Sequence, residues 1–296
     1  MKFVELNDNN KMPILGYGVF QIPPQDTQKC VEDAISVGYR AIDTAQTYRN
    51  EEQVGAAVNS AIKGGTKRSE FFVTTKIWVS NATEDGVLRS FDKSMQKLGL
   101  DYLDLLLLHQ QYGDVYGAWR AMSRLKKEGR IRSIGVSNFY PDRLMDFSLC
   151  NEIRPAINQI ELNPLYQREF DRKIASELGV AIGSWASFGE GRQGILDNKI
   201  LKNIGEKYGK SVAQVILRWL VQQNIVVIPK TTKIERMREN FSVFDFELSE
   251  TDMKIIASMD EKKTLFGEFY KANSKNSEFQ IDPSVAKFMN SYKLDD

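Results

Sequence analysis

The sequence has one histidine, two cysteines and no long apolar segment among its 296 residues. Cys30 and Cys150 are too few for a disulfide framework or a metal cluster, and a single histidine argues against a zinc site. We therefore expect no bound metal and a reduced, cytoplasmic setting. No apolar stretch approaches the roughly 20 residues of a membrane span, and residues 1–12 lack the apolar segment of a signal peptide.

Neither sign of charge is in excess, since 40 Lys and Arg residues nearly balance 39 Asp and Glu residues. The chain therefore has no overall positive field to attract nucleic acid or an anionic membrane, and we expect neither as a partner. With 42% hydrophobic and 27% charged residues, the composition is typical of a soluble globular enzyme. We expect a monomer that acts on a small molecule, and the sequence leaves a dimer open.

Eight short apolar runs alternate with segments of helical periodicity. The runs are rich in Val, Ile or Leu, as buried parallel strands are. They span residues 14–20, 39–45, 71–77, 102–109, 133–138, 156–162, 180–186 and 225–230. Eight strand–helix units favour an α/β fold with a closed (β/α)8 TIM barrel over an open sheet.

The segments on either side of the repeating pattern complete the predicted architecture. An Asn-rich stretch over 3–14 indicates a β-hairpin, which could close the bottom of the barrel. Thr83 is expected to cap the helix after the third strand, and Ser249 an extra helix after the eighth. A polar tail follows over 261–296. No boundary interrupts the pattern, so we expect one domain over 1–296 with a core at about 10–260.

Polar side chains stand where several of these strands end. Asp43 follows the second strand, Lys76 the third and His109 the fourth. The later strands end in Ser137, Asn138, Gln159, Glu161, Trp185 and Lys230. Asp43 and Lys76 could form a purely structural ion pair, and a lone histidine is often a core residue. Their common position at the C-terminal ends of barrel strands favours a catalytic site instead.

Tyr48 lies five residues after Asp43, in the loop before the next helix. A phenol is a weak acid at neutral pH, and we expect a neighbouring Lys76 ammonium to lower its pKa. Such a tyrosine could donate a proton to a carbonyl oxygen that gains negative charge. A neutral His109 could hold the same oxygen by a hydrogen bond.

Several motifs resemble the aldo-keto reductase superfamily over about residues 10–260. They are GYRAIDTAQTYRNE, TTKIW, LLLLHQ, GVSNF, NQIELNP, GKSVAQVILRWLVQ and IVVIPKTTKIERMREN. The resemblance is greatest to prokaryotic-type members described as diketogluconate or prostaglandin F reductases. It implies a catalytic tetrad of Asp43, Tyr48, Lys76 and His109, with Tyr48 as the acid. It also implies NADPH-dependent reduction of an aldehyde, ketone or keto sugar.

The resemblance also assigns residues to a nicotinamide cofactor. Ser137, Asn138 and Gln159 would hold the carboxamide, and Trp185 would stack on the nicotinamide ring. A loop that includes Ser187, Phe188 and Gly189 would cover the pyrophosphate. Lys230, Thr231, Thr232 and Arg236 would contact the 2′-phosphate, with Glu239 and Asn240 near the adenine. Arg pairs with phosphate in a forked geometry, which favours NADPH over NADH.

Each cofactor assignment has an ordinary structural alternative. Trp185 could be a core residue, and Lys233 and Arg238 could belong to a solvated helix face. The GEGRQG segment at 189–194 matches G-x-G-x-x-G, but it does not lie in the strand–turn–helix unit of a Rossmann fold. A flexible Gly-rich loop is therefore the simpler interpretation, and the sequence around it departs from the commoner YSPLG form of the family.

The substrate pocket is expected above the tetrad. Phe20, Trp78 and Tyr112 follow strands one, three and four and could form its walls. Gln110 stands where the family often has an aromatic residue, so we expect a more polar pocket. The rings of Phe266, Phe269 and Tyr270 in the tail could close over the substrate.

Two other functions fit parts of the pattern. Lys76 and Lys230 both end barrel strands, as the lysine of a Schiff-base aldolase would. A cofactor-sensing binding module without rapid chemistry is the other alternative, although the complete tetrad argues against it.

Overall fold

The computed structural model describes residues 2–265, 270–272 and 279–281, the last two stretches by their backbone alone. It begins with the predicted hairpin of antiparallel strands β1 (Phe3–Glu5) and β2 (Lys11–Pro13). Val4 and Met12 pair across the hairpin, and both are buried. The Asn7 Nδ2 atom donates to the Pro155 carbonyl oxygen 2.8 Å away, just before a barrel strand begins. The hairpin therefore lies at the N-terminal ends of the strands, which form the bottom of the barrel.

Eight parallel strands follow, and each pairs with the next along the chain. They are β3 (Tyr17–Gly18), β4 (Ala41–Asp43), β5 (Phe72–Ile77), β6 (Leu103–Leu108), β7 (Ile131–Ser137), β8 (Ile157–Glu161), β9 (Ala181–Trp185) and β10 (Val226–Val227). Gly16 N donates to Val227 O, and Val227 N donates to Ile14 O, each across 2.8 Å. These bonds join the last strand to the first, so the predicted (β/α)8 barrel is confirmed.

Helices cover the outside of the barrel. They are α1 (Pro24–Val37), α2 (Glu51–Lys63), α3 (Glu84–Leu98), α4 (Val115–Lys127), α5 (Pro141–Cys150), α6 (Glu169–Glu177), α7 (Lys199–Tyr208), α8 (Val212–Gln222), α9 (Ile234–Phe241) and α10 (Glu250–Ala257). Thr83 caps α3 and Ser249 caps α10, as predicted. None of the helices in the part of the chain described here has the length and apolar character that crossing a membrane requires.

One helix and one pair of strands were not predicted. Helix α7 begins at an Asn198 cap and ends at Gly209, and both signals are visible in the sequence. In the tail, β11 (Tyr270–Ala272) pairs with β12 (Phe279–Ile281). Phe266 and Phe269 lie outside the described residues, and only the backbone of Tyr270 is described. Closure of these rings over a substrate therefore stays a prediction.

Candidate active site

The four side chains of the predicted tetrad meet at the C-terminal end of the barrel. Asp43 ends β4, Lys76 lies in β5, and His109 directly follows β6. Lys76 and Asp43 form a buried ion pair. The Lys76 Nζ atom also donates to the Thr44 carbonyl oxygen at 3.0 Å and to the Tyr48 hydroxyl at 3.4 Å. Lys76 is thus the centre of the cluster, between a carboxylate and a phenol.

Two buried amides hold the loop that carries Tyr48. This residue ends a short 3-10 helix that begins at Gln46. The Gln46 Oε1 atom accepts a hydrogen bond from the Trp78 backbone N–H at 3.1 Å. The Asn50 Nδ2 atom donates to the Val19 carbonyl oxygen at 3.0 Å. The sequence analysis assigned no role to Gln46 or Asn50, and its only signal was that amides flank Tyr48 on both sides.

Burial and the neighbouring charges together set the protonation of Lys76 and Tyr48. Burial alone would lower the pKa of Lys76, but the Asp43 carboxylate and the Tyr48 phenol raise that pKa above its ordinary value. Burial raises the pKa of Tyr48, and the Lys76 ammonium opposes this rise without reversing it. The expected lowering of the Tyr48 pKa is therefore wrong in its net direction, because loss of water around the ring outweighs the ammonium. Lys76 is charged and Tyr48 is protonated at neutral pH.

His109 lies against two aromatic rings and is uncharged. Its ring centroid is 5.2 Å from that of Trp78 and 5.8 Å from that of Tyr48, each in an edge-on arrangement. Burial, together with the Lys76 ammonium, lowers the pKa of His109 well below its ordinary value of 6.5. The Nδ1 atom is buried and has no hydrogen-bond partner among the described residues. A neutral imidazole at this position retains one N–H that it can donate.

The residues assigned to the nicotinamide carboxamide form a connected network. Gln159 Nε2 donates to the free carboxylate oxygen of Asp43 at 2.9 Å. Ser137 Oγ donates to the Gln159 carbonyl oxygen at 2.8 Å. Asn138 Nδ2 donates to the His109 carbonyl oxygen at 3.0 Å, and Asn138 Oδ1 accepts from Trp185 Nε1 at 2.9 Å. The network links the tetrad to the half-buried indole at the end of β9.

The Gly-rich segment after β9 is a 3-10 stretch, Gly189–Asp197, with several left-handed residues. Just before it, the Ser187 and Ser184 hydroxyls are 2.7 Å apart, and Phe188 is half-buried against the core. Gly189 has φ 55°, and Gly191 has φ 74°. This segment is not the start of a Rossmann helix, in agreement with the sequence analysis.

The basic residues around the predicted phosphate site follow β10 and continue into the first turns of α9. Lys230, Lys233, Arg236 and Arg238 are exposed, and within residues 2–265 none of them forms an ion pair. No side chain caps the N-terminus of α9. Thr231 is buried and Thr232 is exposed. Glu239 accepts a hydrogen bond from the Ser211 hydroxyl, and Asn240 is buried. Free cations and uncapped helix N–H groups can together receive an anion.

The predicted pocket residues divide into two groups. Phe20 and Trp78 lie against the tetrad, and the Phe20 ring centroid is 4.9 Å from that of Tyr48. Gln110 and Tyr112 instead line a neighbouring cleft with about 380 Å³ of empty space, counting its open mouth. Its remaining walls are Asn138, Tyr140, Glu161, Tyr166, Arg168, Trp185 and Thr264. Gln110 thus lies in this cleft, and its place in a more polar substrate pocket stays a prediction.

Comparison with known proteins identifies the family to which the chain belongs. Residues 14–261 match the Aldo/keto reductase family. An aldo-keto reductase of Mycolicibacterium smegmatis is 43% identical over 88% of this chain and 94% of its own length, and a glyoxal reductase of Bacillus subtilis is 41% identical over 87% and 92%. The structure of a Bombyx mori aldo-keto reductase in complex with NADP is 34% identical, with a TM-score of 0.85 over 89% of this chain and 94% of that one. The chain therefore belongs to the Aldo/keto reductase family.

Proposed function

We propose that the protein is an NADPH-dependent oxidoreductase that reduces the carbonyl group of a small molecule, with Tyr48 as the proton donor. The observation that carries the proposal is the buried cluster of a lysine ammonium, a protonated phenol and a neutral imidazole at one end of the barrel. Membership of the family and the NADP complex of the Bombyx mori relative support it.

The arrangement of the strand ends fits a nicotinamide cofactor. Gln159 and Asn138 present amide groups beside the tetrad, and Trp185 offers a half-buried ring for stacking. The loop of Ser187, Phe188 and Gly189 would cover the pyrophosphate, where glycine leaves backbone N–H groups accessible. When bound, a reduced nicotinamide would supply the hydride.

Selectivity for NADPH would come from the segment that follows β10 and from the first turn of α9. Lys230, Thr231, Thr232 and Arg236 would surround the 2′-phosphate at the uncapped N-terminus of α9. Glu239 and Asn240 would lie near the adenine, with Glu239 anchored by Ser211. Arg236 is exposed and has no ion pair within residues 2–265, so no carboxylate in that part of the chain competes for it.

Each member of the tetrad would act on the carbonyl oxygen or on the tyrosine. A carbonyl oxygen becomes an alkoxide as its carbon gains a hydride, and an alkoxide is a stronger base than a phenolate. Tyr48 would transfer its proton to that oxygen, and Lys76, held by Asp43, would stabilise the resulting phenolate. We place the remaining imidazole proton of His109 on Nε2, because a buried Nδ1 without a partner is less costly as an acceptor than as a donor. This proton would orient the oxygen.

The substrate proposed is a small aldehyde, ketone or keto sugar. Phe20 and Trp78 would form apolar walls beside the tetrad, and Gln110 and Tyr112 would contact polar groups further from the carbonyl. The name of the glyoxal reductase relative suggests small dicarbonyls as first candidates.

A turnover assay tests the proposal. NADPH consumption would be followed at several concentrations of simple aldehydes, small dicarbonyls and keto sugars, with NADH in parallel. Reduction of at least one of them is the expected result, and binding of NADPH without turnover of any would instead favour a cofactor-sensing module. A Schiff-base aldolase that acts through Lys76 is disfavoured, because such chemistry needs a neutral amine and the pKa of Lys76 is raised. Trapping of a lysine adduct by borohydride would overturn that conclusion.

A further inference from the structure

Glu161 is a strand-end carboxylate to which the proposed reaction gives no role. It ends β8 and is 4% exposed. Its Oε2 atom accepts a hydrogen bond from Thr264 Oγ1 at 2.5 Å, and its Oε1 atom accepts one from the Leu265 N–H at 2.9 Å. Both oxygens thus hold residues 264–265, here called the strap, against the end of the barrel strand.

The strap contacts the Gly-rich loop on its other side. The Leu265 side chain lies so close to Gly189 that a Cβ atom there would be 2.6 Å from Leu265 Cδ1. The Leu265 carbonyl oxygen accepts a hydrogen bond from Arg192 Nη1 at 3.1 Å. The loop at 189–194 is therefore attached at two points to a segment that Glu161 fixes to the barrel.

We propose that Glu161 is a positioning residue that controls how fast the cofactor leaves, by holding this loop closed through the strap. The inference rests on the proposed function, which assigns the loop to the pyrophosphate. Loops that cover a ligand must open before it dissociates, and that opening often limits turnover. Left-handed residues such as Gly189 and Gly191 give this loop little helical structure of its own. Its closed position then depends on contacts from outside, and the strap supplies two of them.

Glu161 is better placed for this role than for acid–base catalysis. A carboxylate that serves as a catalytic acid or base must have an oxygen free to reach the substrate. Here one oxygen faces the Thr264 hydroxyl and the other the Leu265 N–H. Replacement of Glu161 should therefore change the rate of cofactor release more than the rate of the chemical step.

The test measures NADP+ release by stopped-flow tryptophan fluorescence, with an excess of a competing adenosine 2′,5′-bisphosphate. Glu161→Gln should raise the dissociation rate about tenfold, since hydrogen bonds to a charged acceptor are roughly twice as strong as neutral ones. Thr264→Val removes one of the two bonds and should raise the rate about threefold, with little change in the association rate. Glu177→Gln, the same change on the exposed face of α6, is the matched control and should alter neither rate.

A double-mutant cycle separates the strap from a general loss of stability. Arg192→Met removes the hydrogen bond that attaches the loop to the strap, so Glu161→Gln combined with Arg192→Met should raise the release rate by less than the product of the two single effects. Additive effects, or a lower melting temperature with unchanged release, would overturn the proposal. If Glu161→Gln does not fold, the NADP+ release rate of Thr264→Val alone tests the proposal. A wild-type protein that binds no NADP+ overturns the proposed function, whereas wild-type binding with unchanged variants overturns only the role of Glu161.

Discussion

The Gln159 side chain donates a hydrogen bond to Asp43 across 2.9 Å, although the two residues are 116 positions apart in the chain. Asp43 thereby has one carboxylate oxygen on Lys76 and the other on Gln159. The amide that we assign to the cofactor is thus hydrogen-bonded directly to the ion pair that lies beside Tyr48. In the proposed reaction, binding of the nicotinamide and proton transfer would therefore depend on one shared group.

Gln159→Leu should impair both cofactor binding and proton transfer. The variant leaves a buried carboxylate oxygen of Asp43 without a donor, which costs about 1–3 kcal/mol of unfolding free energy. We expect a lower kcat and a higher KM for NADPH, measured by initial rates, and a lower midpoint in urea unfolding. Gln28→Leu, on the exposed face of α1, is the control. A change in KM alone would indicate that Gln159 serves only the cofactor.

Tyr48→Phe should nearly abolish turnover. The variant keeps the ring against Phe20 but removes the hydroxyl that lies 3.4 Å from Lys76 Nζ. A general acid typically contributes about 10²–10⁴-fold, so kcat should fall by a factor in that range. The Kd for NADPH, measured by fluorescence titration, should be nearly unchanged. Retention of most of the activity would disprove the assignment of Tyr48 as the acid.

Arg236→Ala should weaken binding of NADPH far more than binding of NADH. The guanidinium is assigned to the 2′-phosphate, and loss of a charge-assisted pair should raise the Kd for NADPH about tenfold. Arg238→Ala removes the same charge two residues later on α9, and we expect a much smaller effect. Isothermal titration with both cofactors would measure the difference. Equal losses for NADPH and NADH would rule out the phosphate contact.

The stability of the protein should depend on pH through its one histidine. The pKa of His109 is lowered on folding from the ordinary value of 6.5, so below that pH the unfolded chain binds a proton that the folded chain does not. The free energy of unfolding therefore falls as pH drops below 6.5, by about 1 kcal/mol between about pH 7 and about pH 5.5. His109→Gln lacks this contribution. Urea unfolding of both proteins at the two pH values measures it, and identical pH dependence would contradict the buried neutral imidazole.

The clustering of the tetrad side chains could be predicted, because the order of strands along the backbone determines where each strand ends. Apolar runs indicate strands, strands in a barrel end at one rim, and Asp43, Lys76 and His109 each stand at such an end. The lengths of the individual strands could not be predicted as well from the sequence. The run at 225–230 forms only two residues of β10, since Pro229 has no N–H to continue the ladder.

The side-chain network could not be read from the sequence. The bond from Trp185 to Asn138 depends on side-chain conformations that only the assembled rim selects. The net pKa shift of Tyr48 depends on how fully its surroundings exclude water, and spacing along the chain does not contain that information. Glu161 was visible as a strand-end residue, but its partners lie about 100 positions later, beyond the family match at 14–261.

The edge-on packing of His109 against Trp78 and Tyr48 makes the site unusually easy to observe. The chain has a single imidazole, so its ring protons give one pair of NMR signals that need no assignment by mutagenesis. Both neighbouring rings shift those signals by their ring currents. A ligand that displaces either ring, or that accepts a hydrogen bond from the imidazole N–H, will therefore change the chemical shifts of the His109 ring protons. Those shifts can be used to follow binding at the centre of the barrel rim.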